Sequence, residues 1–367
     1  MFPSMKRKIL VLELWGIGDL LFSTALIQKA VDAGDEVHLL GKSHSAPLLQ
    51  PTFPGLRFFL FEAGWTKFHD KYHLWKWNWG AFFRLLRQLR KEHYDVAVST
   101  RDDPRDHLLM ALIGARERVG FSHCGSGVFL TRCVVRTHGA NQHKVEDWRD
   151  LGAAMGFQGM EAAQPRLSLP AYRSARVDTL FATINKPVFA LHTGARIPVR
   201  RWPEPYFQDL IGRLRREFDF HLILIPDTDG YGSQLAPLAD TVCEGLSLAE
   251  LTDVISRCGL LLCNDSGPAH IAAACERPAI ALFGPTKPEW FRPWGPLHKV
   301  ILRDICPQRP CFDYCRFPEP YCMTKLVPGE VWPEVRAHIL HLAQQGVLPA
   351  RVIKPAPEPS SPNIPPL

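Results

Sequence analysis

A cluster of polar side chains directly follows an apolar run in the second half of the chain, within LLLCNDSGPAHIAAACERPAIALFGPT (260–286). Asp265, Ser266 and Gly267 come first, and His270 lies within one helical turn of them. The short unbroken apolar run predicts a strand buried on both faces, and Pro268 suits the first turn of a following helix. A helix N-terminus at the carboxyl end of such a strand binds anions, phosphates above all. The same residues also fit an ordinary capped helix, because Asp and Ser are good N-cap residues. His270 would then be a histidine whose ring nitrogens have hydrogen-bond partners within the fold.

A loop rich in arginine follows another predicted strand, in HTGARIPVRRWPEPYF (192–207). Thr193 ends that strand, and Arg196, Arg200 and Arg201 precede the next predicted helix. Arginine guanidinium groups bind phosphate well, and this loop is expected at the same sheet edge as the first cluster. A solvated basic loop is the other interpretation.

The N-terminal stretch WGIGDLL (15–21) places glycines and a carboxylate after the first predicted strand. It does not match a dinucleotide fingerprint, because Leu21 occupies the third glycine position and the second strand leads into Lys42 rather than an acidic residue. What remains is a loop in which Gly18 permits close approach, followed by Asp19 at a helix start. Asp19 is therefore either a functional carboxylate or an N-cap.

Strands and helices alternate in two series, which predicts an α/β protein with two parallel, doubly wound sheets. The predicted strands and helices are 8–14, 19–31, 36–40, 80–92 and 95–99 in the first series, and 187–192, 204–218, 220–226, 247–257, 259–263, 270–275, 278–283 and 328–344 in the second. We expect two Rossmann-like domains that face each other across a cleft, over residues 1–175 and 176–350. The proline-rich residues 351–367 are expected to form a disordered tail.

Length and charge exclude several classes of protein. The chain has 367 residues, of which 46% are hydrophobic, so two cores can be buried. A net charge of +6 is too weak to argue for nucleic acid but suits an acidic small molecule or an anionic membrane surface. No apolar run approaches the roughly 20 residues of a spanning helix. Ten scattered cysteines suggest a reducing compartment, so the expected location is the cytoplasm.

One segment combines aromatic and basic residues, WTKFHDKYHLWKWNWGAFFRLLRQLRK (65–91). Trp75, Trp77 and Trp79 alternate, so an extended chain would present them on one face. Such a face could stack on sugars or lie at a membrane interface, and core packing is the commoner explanation.

Four late cysteines lie close together in the sequence: Cys306, Cys311, Cys315 and Cys322. Their spacing is not that of the usual zinc fingers. Buried thiols are the default interpretation, and a structural metal or a redox-dependent crosslink stays open.

Three motifs together resemble one known family. Residues 264–295, NDSGPAHIAAACERPAIALFGPTKPEWFRPWG, resemble the C-terminal signature of the heptosyltransferases of glycosyltransferase family 9. WGIGDLLFSTALIQKA (15–30) resembles their N-terminal signature, and HTGARIPVRRWPEPYF their middle motif. The resemblance implies a GT-B fold and inverting, metal-independent and cofactor-free transfer of a heptose from ADP-heptose to a lipopolysaccharide core acceptor. That acceptor implies work at the cytoplasmic surface of the inner membrane.

The resemblance also implies roles for particular residues. Asp19 matches the catalytic base, and a nucleoside-binding carboxylate matches either Asp227 or Asp229. The residues that match substrate-binding positions, or lie in the matching loops, are Gly18, Thr193, Arg196, Arg200, Leu246, Asp265, Ser266, Gly267 and His270. A related transferase with another nucleotide sugar or a protein acceptor, and a sugar-nucleotide epimerase of similar fold, are the alternatives.

Overall fold

Two parallel six-stranded sheets form the framework of the protein. The computed structural model describes residues 6–67, 72–312 and 314–354. The N-terminal half contains β1 (Lys8–Glu13), α1 (Ile17–Asp32), β2 (Glu36–Gly41), α2 (Ser45–Leu49), β3 (Arg57–Leu60), α3 (Trp79–Arg90), β4 (Val96–Val98), α4 (Pro104–Ile113), β5 (Glu117–Phe121), β6 (Arg132–Val134) and α5 (Lys144–Ala154). Its strand order is β3-β2-β1-β4-β5-β6, and all the pairings are parallel.

The C-terminal half repeats this arrangement. It contains α6 (Ala175–Phe181), β7 (Val188–His192), α7 (Glu204–Glu217), β8 (His221–Ile225), β9 (Thr241–Val242), α8 (Leu248–Arg257), β10 (Leu260–Asn264), α9 (Gly267–Ala274), β11 (Ala279–Phe283), α10 (Pro288–Phe291), β12 (His298–Leu302), α11 (Tyr321–Thr324) and α12 (Pro328–Gln344). Its strand order is β12-β11-β10-β7-β8-β9, again parallel. The central strands β1, β10 and β11 are buried almost throughout, as their predominantly apolar sequences predict.

Helix starts differ from the predicted ones at both glycine loops. Helix α1 begins at Ile17, with Gly16 as the extended N-cap, so Asp19 occupies the third helical position and is not the N-cap. Ser266 is the N-cap of α9, but its hydroxyl donates to the Asn264 carbonyl (3.2 Å) rather than accepting a backbone N–H. The N–H groups at the start of α9 are thus not capped by this side chain.

The two halves pack closely through α1 and α9. The largest cluster of buried apolar residues contains side chains from both helices, among them Leu20, Leu26, Ile271 and Ala272. The connecting segment touches both halves, since the Arg166 N–H donates to Thr24 Oγ1 and the Leu167 N–H to the Ala274 carbonyl. The domain boundary after residue 175 stays a prediction; it falls at the first residue of α6.

The predicted tail starts too early. Val352 is fully buried, and the Asp219 N–H donates to the Val352 carbonyl. Ile353 forms an isolated antiparallel β-bridge with Phe218. Because apolar contacts and backbone hydrogen bonds hold this stretch against α7, residues 351–354 belong to the packed fold. Residues 355–367 of the predicted tail lie outside the described residues.

None of the helices in the described ranges has the length and apolar character needed to cross a membrane. All ten cysteines are free thiols, as the scattered positions in the sequence suggested.

Candidate active site at the facing sheet edges

The loop after β10 is held by a network of paired polar groups. Asn264 Oδ1 accepts from the Trp202 N–H (3.1 Å), and its Nδ2 donates to the Thr193 carbonyl (2.6 Å). Asp265, only 3% exposed, accepts from Arg200 Nη1 (3.3 Å) and from Thr286 Oγ1 (2.6 Å). The amide and the carboxylate thus tie the ends of β7, β10 and β11 to the arginine loop.

His270 and the two glycines bring the halves into contact. A Cβ atom on Gly18 would lie 2.6 Å from the His270 ring, and one on Gly267 would lie 3.1 Å from the Ile17 side chain. His270 is 7% exposed, and its ring packs edge-on against Phe22 with centroids 5.0 Å apart. Burial lowers the pKa of His270, and the charges of Asp265 and Asp19 oppose that shift. The imidazole therefore interacts with a carboxylate from each half.

The arginine loop divides into two parts. Arg201 donates to the Ala195 carbonyl (2.9 Å) and pairs with both Asp227 (2.8 Å) and Asp229 (2.7 Å), so Arg201 serves the loop itself. Asp229 is the more exposed of the two carboxylates, at 54% of its side chain against 17% for Asp227. Arg200 instead pairs with Asp265 beside α9, and Arg196 is exposed on the same loop.

Two further predicted residues lie at the margin of this group. Thr193 is fully buried, and its hydroxyl donates to the Tyr231 carbonyl (3.0 Å), so its proton is used within the fold. Leu246 lies just before α8, is partly buried, and packs against the large apolar cluster.

The loop after β1 holds a pair of carboxylates. Asp19 Oδ2 accepts from the Gly16 N–H (3.4 Å), and Glu13 Oε1 accepts from the Trp15 N–H (3.1 Å). The Arg101 guanidinium stacks on the Trp15 ring at 3.7 Å from its centroid. Burial, and then the charge of Asp19, raise the pKa of Glu13 well above its usual range.

Cations line the same edge. Lys42 follows β2 and is 7% exposed; burial, and then the charge of Arg196, lower its pKa. Burial, and then Lys42, lower the pKa of His44 to about 4. Lys42 and Arg196 come from opposite halves, so an anion bound between the halves would relieve their repulsion.

Sequence reasoning missed several of these groups. Glu13 was not singled out, and nothing in the motifs assigned a site role to Lys42, Arg101 or Thr286. Their one shared signal is position, since each follows or ends a predicted parallel strand, where ligand-binding residues of α/β sheets collect.

The described residues contain one group of three potential metal ligands within reach of a shared ion: Glu36, His38 and Glu92. Lys8 Nζ already lies 3.2 Å from Glu36 and 3.1 Å from Glu92, so an ammonium group bridges the two carboxylates of this cluster. The group lies at the sheet edge opposite Asp19, and the four late cysteines do not belong to it.

The predicted tryptophan face does not form. Trp75 lies in a short 3-10 turn and Trp79 begins α3, so the segment is not an extended strand. Trp75 is 76% exposed and Trp79 40%, whereas Trp77 packs on Trp65 with centroids 5.4 Å apart. Core packing therefore explains only Trp77.

Comparison with known proteins shows which family this sequence matches. The sequence model of glycosyltransferase family 9 (heptosyltransferase) matches residues 82–321, more than half of the chain. Lipopolysaccharide heptosyltransferase 1 of Pseudomonas aeruginosa is 26% identical over 71% of this chain and 78% of its own length. Lipopolysaccharide heptosyltransferase 3 of Escherichia coli is 27% identical over 58% of this chain and 66% of its own length.

A solved structure extends the likeness to the fold. The E. coli heptosyltransferase WaaC with ADP-2-deoxy-2-fluoro heptose superposes with a TM-score of 0.67, at 17% identity over 90% of this chain and 99% of that chain. The predicted GT-B arrangement of two Rossmann-like halves is confirmed by this likeness and by the two parallel sheets. The chain is a glycosyltransferase and belongs to glycosyltransferase family 9 (heptosyltransferase).

Proposed function

We propose that this protein transfers a heptose from ADP-heptose to a lipopolysaccharide core acceptor, with inversion at the anomeric carbon and without a metal ion. One observation carries the proposal: Gly18 lies against the His270 ring, so the first turn of α1, which carries Asp19, faces the first turn of α9, and Asp19 acts on the pKa of His270. The relatives named for heptose transfer, and the solved relative that holds an ADP-heptose analogue, support this choice of donor.

The start of α9 provides the site for the diphosphate. Its first N–H groups are not capped by Ser266, and both Ser266 and Gly267 are partly exposed. Arg200 is held beside them by Asp265, and Arg196 is exposed on the same loop. These groups would stabilise the negative charge that grows on the leaving diphosphate, which is the role that a metal ion plays in other transferases.

Asp19 would act on the acceptor. The acceptor hydroxyl gives its proton to an Asp19 oxygen while its own oxygen forms the bond to the anomeric carbon. The bond from that carbon to the diphosphate oxygen breaks, and the diphosphate keeps the electron pair. Attack opposite the leaving group inverts the carbon.

A cavity of about 470 Å³ in the N-terminal half offers room for the acceptor. Its lining includes Arg101, Arg105 and His123, and Arg101 connects it to the Asp19 loop by stacking on Trp15. The acceptor would thus reach Asp19 from the side opposite the nucleotide.

Incubating the purified protein with ADP-heptose in EDTA, with and without a core acceptor, tests the proposal. We expect release of ADP only when the acceptor is present, and NMR of the product should show an inverted anomeric centre. A changed heptose without acceptor would indicate an epimerase, and transfer only from another nucleotide sugar or only to protein would indicate the related transferase. A strict requirement for a divalent cation would contradict the metal-free site.

The acceptor class also requires a membrane partner, and we propose that residues 72–91 bind an anionic membrane surface. This stretch has five Lys and Arg residues and no acidic residue. Phe83 is 60% exposed and its ring centroid lies 6.2 Å from that of Trp79 on α3, a helix with several arginines, and Trp75 is exposed in the same stretch. Aromatic rings suit the interface, and each basic residue near anionic lipid adds about 1 kcal/mol.

Vesicle sedimentation tests this membrane proposal. Vesicles with anionic lipid should retain the protein at low salt and release it at 1 M salt, where the screening length falls to about 3 Å. The double change Trp75→Ser and Phe83→Ser should reduce binding with unchanged thermal unfolding, because both side chains are exposed. Equal retention of the variant, or equal binding to neutral vesicles, would contradict the proposal.

A further inference from the structure

Glu13 is a buried carboxylate that the proposed reaction leaves without a role. It ends β1, is 1% exposed, and uses Oε1 to accept from the Trp15 N–H. Its second oxygen, Oε2, is buried and has no hydrogen-bond partner among the described residues. A buried carboxylate that is only half satisfied costs stability, so its presence beside Asp19 needs an explanation.

The two carboxylates share one short loop. Glu13 binds the amide of residue 15 and Asp19 binds the amide of residue 16. Consecutive amide nitrogens are only three covalent bonds apart, roughly 4 Å at most. Geometry alone therefore sets the two acidic groups close together at the start of α1.

Charged groups from every neighbouring element act on Glu13. Asp19 of α1 and Asp106 of α4 raise its pKa, after burial as the largest cause, whereas Arg101 after β4 lowers it. Lys42 after β2 also interacts with both Glu13 and Asp19. When two carboxylates interact this strongly, the pair retains a proton to a higher pH than either group alone.

We propose that Glu13 is a positioning residue for the transfer. The pair of Glu13 and Asp19 retains one proton, and Glu13 carries it. Asp19 then takes the proton of the acceptor hydroxyl during transfer. At higher pH Glu13 also loses its proton, and its negative charge beside Asp19 favours that proton transfer. This inference rests on the proposed role of Asp19 as the base.

A titration of carboxyl carbons by NMR tests the pairing directly and needs no substrate. We expect Asp19→Asn to lower the pKa of Glu13, because the like charge beside it is removed. Asp106→Asn is the matched control and should lower that pKa less, since Asp19 has the larger effect. An unchanged Glu13 titration in the Asp19→Asn protein, or an equal change in both variants, would overturn the pairing.

The pH dependence of kcat/KM tests the consequence for transfer, with Glu13→Gln as an uncharged variant of similar shape. We expect the ratio of wild-type to variant kcat/KM to rise with pH, and ADP affinity to stay the same. A constant ratio at all pH values would mean that Glu13 is only structural. If neither protein transfers heptose, the proposed function fails, while the NMR titration still decides whether the two carboxylates share a proton.

The stability of the Glu13→Gln variant provides a second measurement. Because burial raises the pKa of Glu13 in the folded protein, its ionisation destabilises the fold as pH rises. The variant should therefore unfold at a higher temperature than the wild type at alkaline pH, and the difference should shrink on acidification. A variant that is less stable at every pH would contradict a protonated Glu13.

Discussion

The loops after β1 and after β10 share one architecture but treat their carboxylates differently. In each, a buried strand ends in a glycine-containing turn and a helix follows. Asp265 is locked by Arg200 and by a 2.6 Å hydrogen bond from Thr286. Among the described residues, Asp19 has one hydrogen bond, at 3.4 Å from a backbone amide.

The difference fits the two kinds of work proposed for the loops. A fixed Asp265 keeps a guanidinium in position for an anion, and such preorganised charge needs no rearrangement during reaction. A loosely held Asp19 can accept a proton, because few donors satisfy its ionised form. On this proposal, the same strand-turn-helix unit would serve anion binding in one half and base chemistry in the other.

The largest expected effect comes from Asp19→Asn. The amide can still accept from the Gly16 N–H, so the start of α1 is preserved while the base is lost. Transfer should fall about 10²- to 10⁴-fold, and ADP affinity, measured by calorimetry, should change little.

Asp32→Asn at the other end of α1 is the control, since Asp32 only accepts from Gln28 there. Near-normal turnover of Asp19→Asn would remove the proposed base and reduce Asp19 to a helix-start contact.

A smaller effect is expected from Arg200→Ala on the other loop. Charge-assisted hydrogen bonds contribute about 1.5–3 kcal/mol, so ADP affinity should fall roughly 10- to 150-fold in buffer with EDTA. His270→Ala should weaken ADP binding in the same direction.

Arg213→Ala serves as the control for this prediction, because Arg213 pairs with Asp209 of the same helix at the protein surface, away from the candidate site. Equal ADP affinity of the Arg200→Ala and Arg213→Ala proteins would contradict the anion site.

The strands and most helices of both sheets could be predicted because their apolar periodicity is local. Helix 328–344 matches α12 to the residue, and the strand predicted over 259–263 is displaced by one residue. The start of α1 was missed because Gly16 caps it by its extended backbone rather than by a side chain. Residues 351–354 were assigned to the tail because proline-rich composition hides the burial of Val352.

The candidate site could be predicted less completely than the fold. The motifs named Asp19, Asp265 and His270, but neither composition nor spacing shows that Asp265 binds Arg200 or that His270 contacts Gly18. Glu13 was invisible as a site residue because a single acidic residue in an apolar run indicates neither burial nor a partner. Contacts between the halves depend on tertiary packing, which sequence periodicity does not specify.

The smallest expected effect compares the glycines of the two loops, Gly18→Ala and Gly267→Ala. The new Cβ at Gly18 would lie 2.6 Å from the His270 ring, which is 7% exposed and packed on Phe22, so the ring or α1 must move. At Gly267 the nearest atoms are 3.1 Å away, on the partly exposed Ile17. We expect Gly18→Ala to cost about 1–3 kcal/mol of unfolding free energy, as overpacking commonly does, and Gly267→Ala to cost less.

Gly16→Ala, whose Cβ would be 3.7 Å from Asp19 Oδ2, is the control for a substitution in the same loop without a close contact. Denaturant unfolding of the three variants would rank them; a Gly18→Ala protein as stable as the control would mean that the halves can separate, and that the two loops are not held in register by this contact.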